Sequence, residues 1–120
     1  MIQHVTRQIP PAQLEACVEF YGLLGFALVD PPAGIAGRAV WLQLGATQMH
    51  LMPVPDAAPA SGHVGIVTGA YDAAVAGLQR AGHEVEPRRR HWGAARAYVR
   101  DPAGNLVELM AAPPPEPVTS

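Results

Sequence analysis

Four side chains able to bind a metal ion recur in this sequence at matched intervals. His4 and His50 are 46 residues apart, and His63 and Glu108 are 45 apart. Arg38 precedes His50 by 12 positions, and Arg96 precedes Glu108 by the same 12. The neighbours echo one another as well: His4-Val5 with His63-Val64, Arg38-Ala39 with Arg96-Ala97, and Met49-His50-Leu51-Met52 with Val107-Glu108-Leu109-Met110. Self-similarity at one offset marks a duplicated unit. Three imidazoles and a carboxylate suit a divalent ion, so His4, His50, His63 and Glu108 read as one metal site. Zn, Ni, Co, Mn and Fe(II) are all compatible with that ligand set. Glu108 and His50 are the catalytic candidates, as groups that can move a proton.

The elements around these residues repeat in the same order. Residues 2–8 alternate as a strand, with His4 and Thr6 on one face and Val5 on the other. Pro10-Pro11 starts a helix whose apolar stripe is Leu14, Cys17, Val18, Tyr21 and Leu24, with Gly25 as its stop. Strands follow at 26–29, 38–44 and 47–52, the last two joined at Gly45-Ala46 as a hairpin. After a proline-rich linker at 53–62, strand 63–67 opens a second unit. A helix marked by Tyr71, Val75, Leu78 and Ala81 and closed by Gly82 comes next, then strands at 83–87, 95–100 and 106–110. Between the last two strands, Asp101-Pro102-Ala103-Gly104-Asn105 has the composition of a tight turn. The reading is one α+β domain over 1–120: module 1 about 1–53, module 2 about 63–111, and a loose tail at 112–120.

Period-two alternation separates the faces of these strands. Val5, Met49, Leu51, Val64, Ile66, Val107 and Leu109 form the face the helices cover. His4, His50, His63 and Glu108 are left on the other face, where curved sheets can enclose a cleft. A carboxylate among apolar neighbours is costly to ionise unless a positive charge meets it, and a divalent cation supplies one. Trp41, Gln48, Trp92, Arg96 and Tyr98 are the candidate substrate-binding residues. His83 and His91 lack matched positions and read as solvent-facing, as does the run Arg88-Arg89-Arg90.

Composition removes several classes of function. The 120 residues carry a net charge of −2, which offers no basic surface to nucleic acid or to an acidic membrane. All eight cationic side chains are arginine, so no lysine is present for Schiff-base or P-loop chemistry. Cys17 is the single cysteine and forms no internal disulfide. No apolar run reaches membrane-spanning length, and a cytoplasmic location is expected.

With these residues in view, the chain resembles the vicinal oxygen chelate superfamily of glyoxalases, bleomycin-resistance proteins and extradiol dioxygenases. The marks span about residues 2 to 111: His4-Val5, Phe20-Tyr21-Gly22-Leu23-Leu24-Gly25-Phe26, Gly62-His63-Val64, and the most specific, the closing stretch from Tyr98 to Leu109. The resemblance implies two tandem βαβββ modules forming a curved mixed-sheet cup that holds a divalent metal, often in a homodimer. It implies His4, His63 and Glu108 as ligands, with His50 at the fourth position. In the glyoxalase I branch a glutamate occupies the place of His50, and a carboxylate pair handles proton transfer; here Glu108 is the one carboxylate. The activity implied is that of a metal-dependent lyase or isomerase acting on a small oxygen-chelating substrate. The alternatives are ring-cleaving oxygenation on an Fe(II) triad of His4, His63 and Glu108, and metal-free binding of a small molecule or antibiotic.

Overall fold

The computed structural model describes residues 1–35 and 37–118, so the last two positions of the expected tail lie outside the described residues. The chain divides into two compact units, one of residues 1–61 with 101–105, the other of residues 62–100 with 106–120. Each unit is built as the duplication implies, a helix and a four-stranded mixed sheet.

In the first unit, β1 (His4–Ile9), α1 (Leu14–Leu23), β2 (Ala27–Val29), β3 (Val40–Leu44) and β4 (Thr47–Pro53) follow in chain order. The sheet order is β1-β4-β3-β2, with β1 parallel to β4 and the other pairs antiparallel. Pro10-Pro11 does not open the α-helix directly. A 3-10 turn at Pro11–Gln13 intervenes, where the missing proline N–H costs nothing. Cys17, Tyr21 and Leu24 of the expected stripe are buried, and so is Phe20, which lay off it. Phe20 earns its place by an edge contact with Tyr21 at 4.9 Å between ring centres. Gly25 ends the helix at φ +107°, a conformation that would strain any residue with a Cβ. Ile9, Leu42, Met49 and Leu51 complete the core from the sheet side. At ~1.5–3 kcal/mol for each large apolar side chain buried, this face holds the unit together.

The second unit repeats the plan with β5 (His63–Val67), α2 (Tyr71–Arg80), β6 (Glu86–Arg88), β7 (Arg96–Arg100) and β8 (Leu106–Met110). Its sheet order is β5-β8-β7-β6, again with one parallel pair, β5 and β8. Ile66, Leu78, Ala97, Val99, Val107 and Leu109 are its core. The strand expected at 83–87 starts three residues later. Gly82, at φ +89°, turns the chain so that the His83 amide donates to the Leu78 carbonyl, and the helix cap consumes the residues before Glu86. Arg88 is therefore a strand residue and not the start of a loop.

Asp101 organises the turn between β7 and β8. Its Oδ1 accepts from the backbone amides of Ala103 and Asn105, and its Oδ2 accepts from the Tyr21 hydroxyl and the Asn105 amide. Gly104, at φ +89°, approaches Pro59 so closely that an added Cβ would stand 2.9 Å from its ring.

Candidate functional site

The strand register reproduces the duplication. His50 pairs across the parallel ladder with Thr6, and Glu108 with Gly65. His4 and His63 each stand two residues before those partners, so within each unit both candidate ligands point to one face. Across the antiparallel ladder, Trp41 lies opposite His50 and Tyr98 opposite Glu108. Arg38 does not share in this symmetry. It precedes β3, whereas Arg96 opens β7, because a two-residue turn joins β3 to β4 and a five-residue turn joins β7 to β8.

In the first unit three rings form a stack. The His50 ring lies between His4, at 4.3 Å, and Trp41, at 4.1 Å, with interplanar angles of 12° and 4°. Gln3 Oε1 stands 2.7 Å from His4 Nδ1, and Gln48 Oε1 stands 2.9 Å from His50 Nε2. Each glutamine fixes one ring nitrogen and leaves the other with a lone pair. Gln48 is itself oriented by donating to Gln43 Oε1 at 3.1 Å. His50 is 8% exposed, and burial, followed by the repulsion of a second charge at His4, lowers its pKa. Both effects keep His50 neutral, the form that binds metals.

In the second unit, His63 Nε2 stands 3.1 Å from Oε1 of Glu108, and Arg96 Nε donates to Oε2 at 3.1 Å. Arg96 Nη1 donates to the Arg89 carbonyl at 2.6 Å, and its guanidinium lies 5.4 Å from the Trp92 ring centre. The hydrogen bond to Glu108 is the main cause of the raised pKa of Arg96. Trp92 donates to the Ala112 carbonyl. Tyr98 packs at 5.7 Å against His63, and the Arg88 guanidinium lies 4.7 Å from the Tyr98 ring centre. Tyr98 also lines a cavity of about 500 Å³ with Glu84, Glu86, Arg100 and Leu106.

Whether these donors suit a divalent ion is testable on their spacing. Two ligands at about 2.1 Å from one ion stand about 3.0 Å apart at right angles and about 3.4 Å apart at the tetrahedral angle. The 3.1 Å between His63 Nε2 and Glu108 Oε1 lies near the first of these and is equally a hydrogen-bond distance. Among the described residues no group of three or more His, Cys, Asp or Glu side chains gathers, so the donors occur as pairs. The donor types are those that bind divalent ions, held as a stacked pair in one unit and a hydrogen-bonded pair in the other.

Sequence reasoning placed Arg96 and Trp92 among substrate-binding residues; in the structure Arg96 clamps Glu108 and Trp92 packs beside it. It missed Gln3, whose place next to His4 is the one signal of its role, and Arg88, whose contact with Tyr98 follows from the shifted β6.

A family model described as "Glyoxalase/Bleomycin resistance protein/Dioxygenase superfamily" matches residues 1–109. The chain belongs to this superfamily. Solved structures of similar fold include a Bacillus anthracis protein described as a glyoxalase family member, 27% identical, with a TM-score of 0.80 over 92% of this chain and 93% of that one. Lactoylglutathione lyase from Agrobacterium tumefaciens is 23% identical, with a TM-score of 0.69 over 92% of both chains. A glyoxalase/dioxygenase from Nostoc punctiforme is 19% identical, with a TM-score of 0.78 over 94% of this chain and 91% of that one. No curated protein matches the sequence. Among the described residues, no helix of this superfamily member is long and apolar enough to cross a membrane.

Proposed function

We propose that this glyoxalase-superfamily chain is a metal-dependent enzyme of lyase or isomerase type. Its substrate is a small molecule that chelates through two oxygens, and its ligands are His4, His50, His63 and Glu108. The observation that carries this reading is the pairing of His63 and Glu108 at a ligand-to-ligand distance. When bound, a divalent ion supplies Lewis acidity that stabilises enolate or alkoxide charge. The protein's own residues do the rest. Arg96 holds Oε2 of Glu108 and His63 stands at Oε1, so Glu108 would take or return a substrate proton at Oε1 only after parting from His63. Burial keeps His50 neutral, and Trp41 holds its ring plane. Tyr98 and Trp41 offer aromatic faces to an organic substrate. A homodimer is part of the proposal, and light scattering showing a stable monomer at micromolar concentration counts against that part alone.

The test is metal content. Protein purified without chelators or a histidine tag should carry a divalent ion or take one up on reconstitution. His63→Ala and Glu108→Ala should lose it, and His83→Ala should retain it. Wild-type protein that binds no divalent ion refutes the enzyme reading.

One observation favours a second reading. Arg96 already supplies Glu108 with a positive partner, so the carboxylate does not need a metal to be compensated. On that reading the chain is a metal-free small-molecule-binding protein whose ligand enters the cavity beside Tyr98. The same metal measurement separates the two.

A further inference from the structure

Arg7 is placed where a strand of this pattern ordinarily carries an aliphatic side chain. On β1 it shares its face with Val5 and Ile9 and pairs with Leu51, so it points to the side that α1 covers. It is 8% exposed, and its buried Nε has no hydrogen-bond partner among the described residues. Arg7 takes no part in the ion pairs His63–Glu108, Arg88–Glu86 and Arg96–Glu108. A buried guanidinium with an orphaned N–H is costly and calls for a partner.

That side chain lines a cavity of about 380 Å³ in the first unit, together with Thr6, Gln8, Ala58, Ala60 and Asn105. None of these residues is acidic. Asp101 is joined to the cavity wall through Asn105, but its carboxylate already accepts four hydrogen bonds. Asn105 is also committed, because its Oδ1 accepts from the Ala60 amide at 2.9 Å and fixes that wall. The carbonyls of Gln3 and Ile9 accept from the amides of Gln48 on β4 and of Val54 just after it, so in a regular strand Thr6 and Gln8 turn their peptide groups the other way. β1 is the last strand of its sheet on that side. The cavity therefore combines a cation that has no ion pair among the described residues and acts on Tyr21 only through its field, further donors from Thr6 and Gln8, and no anion among its lining residues.

We propose that Arg7 and this cavity form a binding site for a small organic carboxylate. A guanidinium presents parallel N–H donors that match the two oxygens of a carboxylate. A volume near 380 Å³ lies at the small end of ligand pockets, which suits an organic acid of modest size. The site uses none of the four metal-ligand candidates and stands or falls apart from the enzyme reading.

The probes are acetate, benzoate, inorganic phosphate and sodium chloride at matched ionic strength. Binding is followed through the Nε–H resonance of Arg7 by nuclear magnetic resonance and through the melting temperature. Acetate or benzoate should shift the Arg7 signal saturably and raise the melting temperature, while chloride does neither. Arg7→Met keeps the bulk and removes the charge, and should weaken carboxylate binding at least tenfold. Should that variant fail to fold, Ala58→Glu places a carboxylate on the cavity wall, and should raise the melting temperature and abolish the response to added acid. A wild-type response equal to that of chloride overturns the proposal. So does an undiminished response in folded Arg7→Met or in Ala58→Glu, or saturation by phosphate alone.

Discussion

His63 Nε2 and Glu108 Oε1 stand 3.1 Å apart on parallel neighbouring strands, while Arg96 holds the other oxygen of the same carboxylate. Both oxygens of the Glu108 carboxylate are held in place, which removes part of the ordering cost of binding at that group. Glu108→Gln keeps the shape but removes the charge that both partners meet. It should reduce bound divalent metal from about one ion per site to near none, and lower the melting temperature of metal-loaded protein towards that of the metal-free form. Elemental analysis and calorimetry on the same samples check both. Unaltered metal content in Glu108→Gln would remove Glu108 from the ligand set.

Tyr21 on α1 donates to Asp101, 80 residues along the chain, at 2.7 Å in a buried setting. Tyr21→Phe should cost ~1–3 kcal/mol, because Asp101 loses one of its donors while remaining buried. Urea unfolding of the two proteins measures this directly.

The same bond has a signature in alkali. Burial, then the charge of Asp101, push the Tyr21 pKa well above its ordinary value, so the folded state holds the neutral phenol. A pKa raised on folding gives stability that is present below the unfolded value, near 10, and is lost as pH rises beyond it. Stability should therefore fall above about pH 10, and less steeply in Tyr21→Phe. Equal slopes in the two proteins would place the alkaline loss elsewhere.

Cys17 is fully buried on the same helix, and burial, followed by Asp101, pushes its thiol up to about 11. At pH 8 the thiolate fraction is then roughly a hundredfold below that of an unfolded cysteine, before access is considered. Native protein should leave Cys17 unmodified by a thiol reagent on the timescale in which denatured protein reacts fully. Rapid native labelling would mean that α1 opens locally.

Much of this architecture was legible because it rests on local chemistry. β5 and β8 fall at the residues their alternation marks, and Gly25 and Gly82 stop the two helices as their freedom to take positive φ predicts. The family follows from short motifs in the same stretches. What stayed hidden depends on partners far along the chain. Nothing near Tyr21 announces Asp101, and nothing near Arg96 says that its guanidinium clamps Glu108. Spacing alone matched Arg38 to Arg96, yet the unequal turns break that match in the ladder. A lone arginine in an alternating strand ordinarily reads as solvated, whereas alternation with Val5 and Ile9 puts Arg7 inward.

The position of His50 separates this chain most clearly from the glyoxalase I pattern described by the resemblance. An imidazole there is neutral, and in this structure burial and His4 both act to keep it so. Relative to a carboxylate, it leaves a bound metal centre one unit more positive, which makes a stronger Lewis acid. His50→Glu reverses that charge and adds a second carboxylate to the proposed ligand set. It also removes the ring held between His4 and Trp41, so a modest fall in stability accompanies the change. The expected outcome is a variant that retains metal, loses native turnover, and gains hemithioacetal isomerase activity over the wild-type baseline. Parallel assays of wild type and variant on a hemithioacetal and on a panel of oxygen-chelating substrates measure this, with metal content determined on each sample. Retained metal with unchanged turnover on every substrate would show that His50 is a packing residue of the ring stack and takes no part in the chemistry.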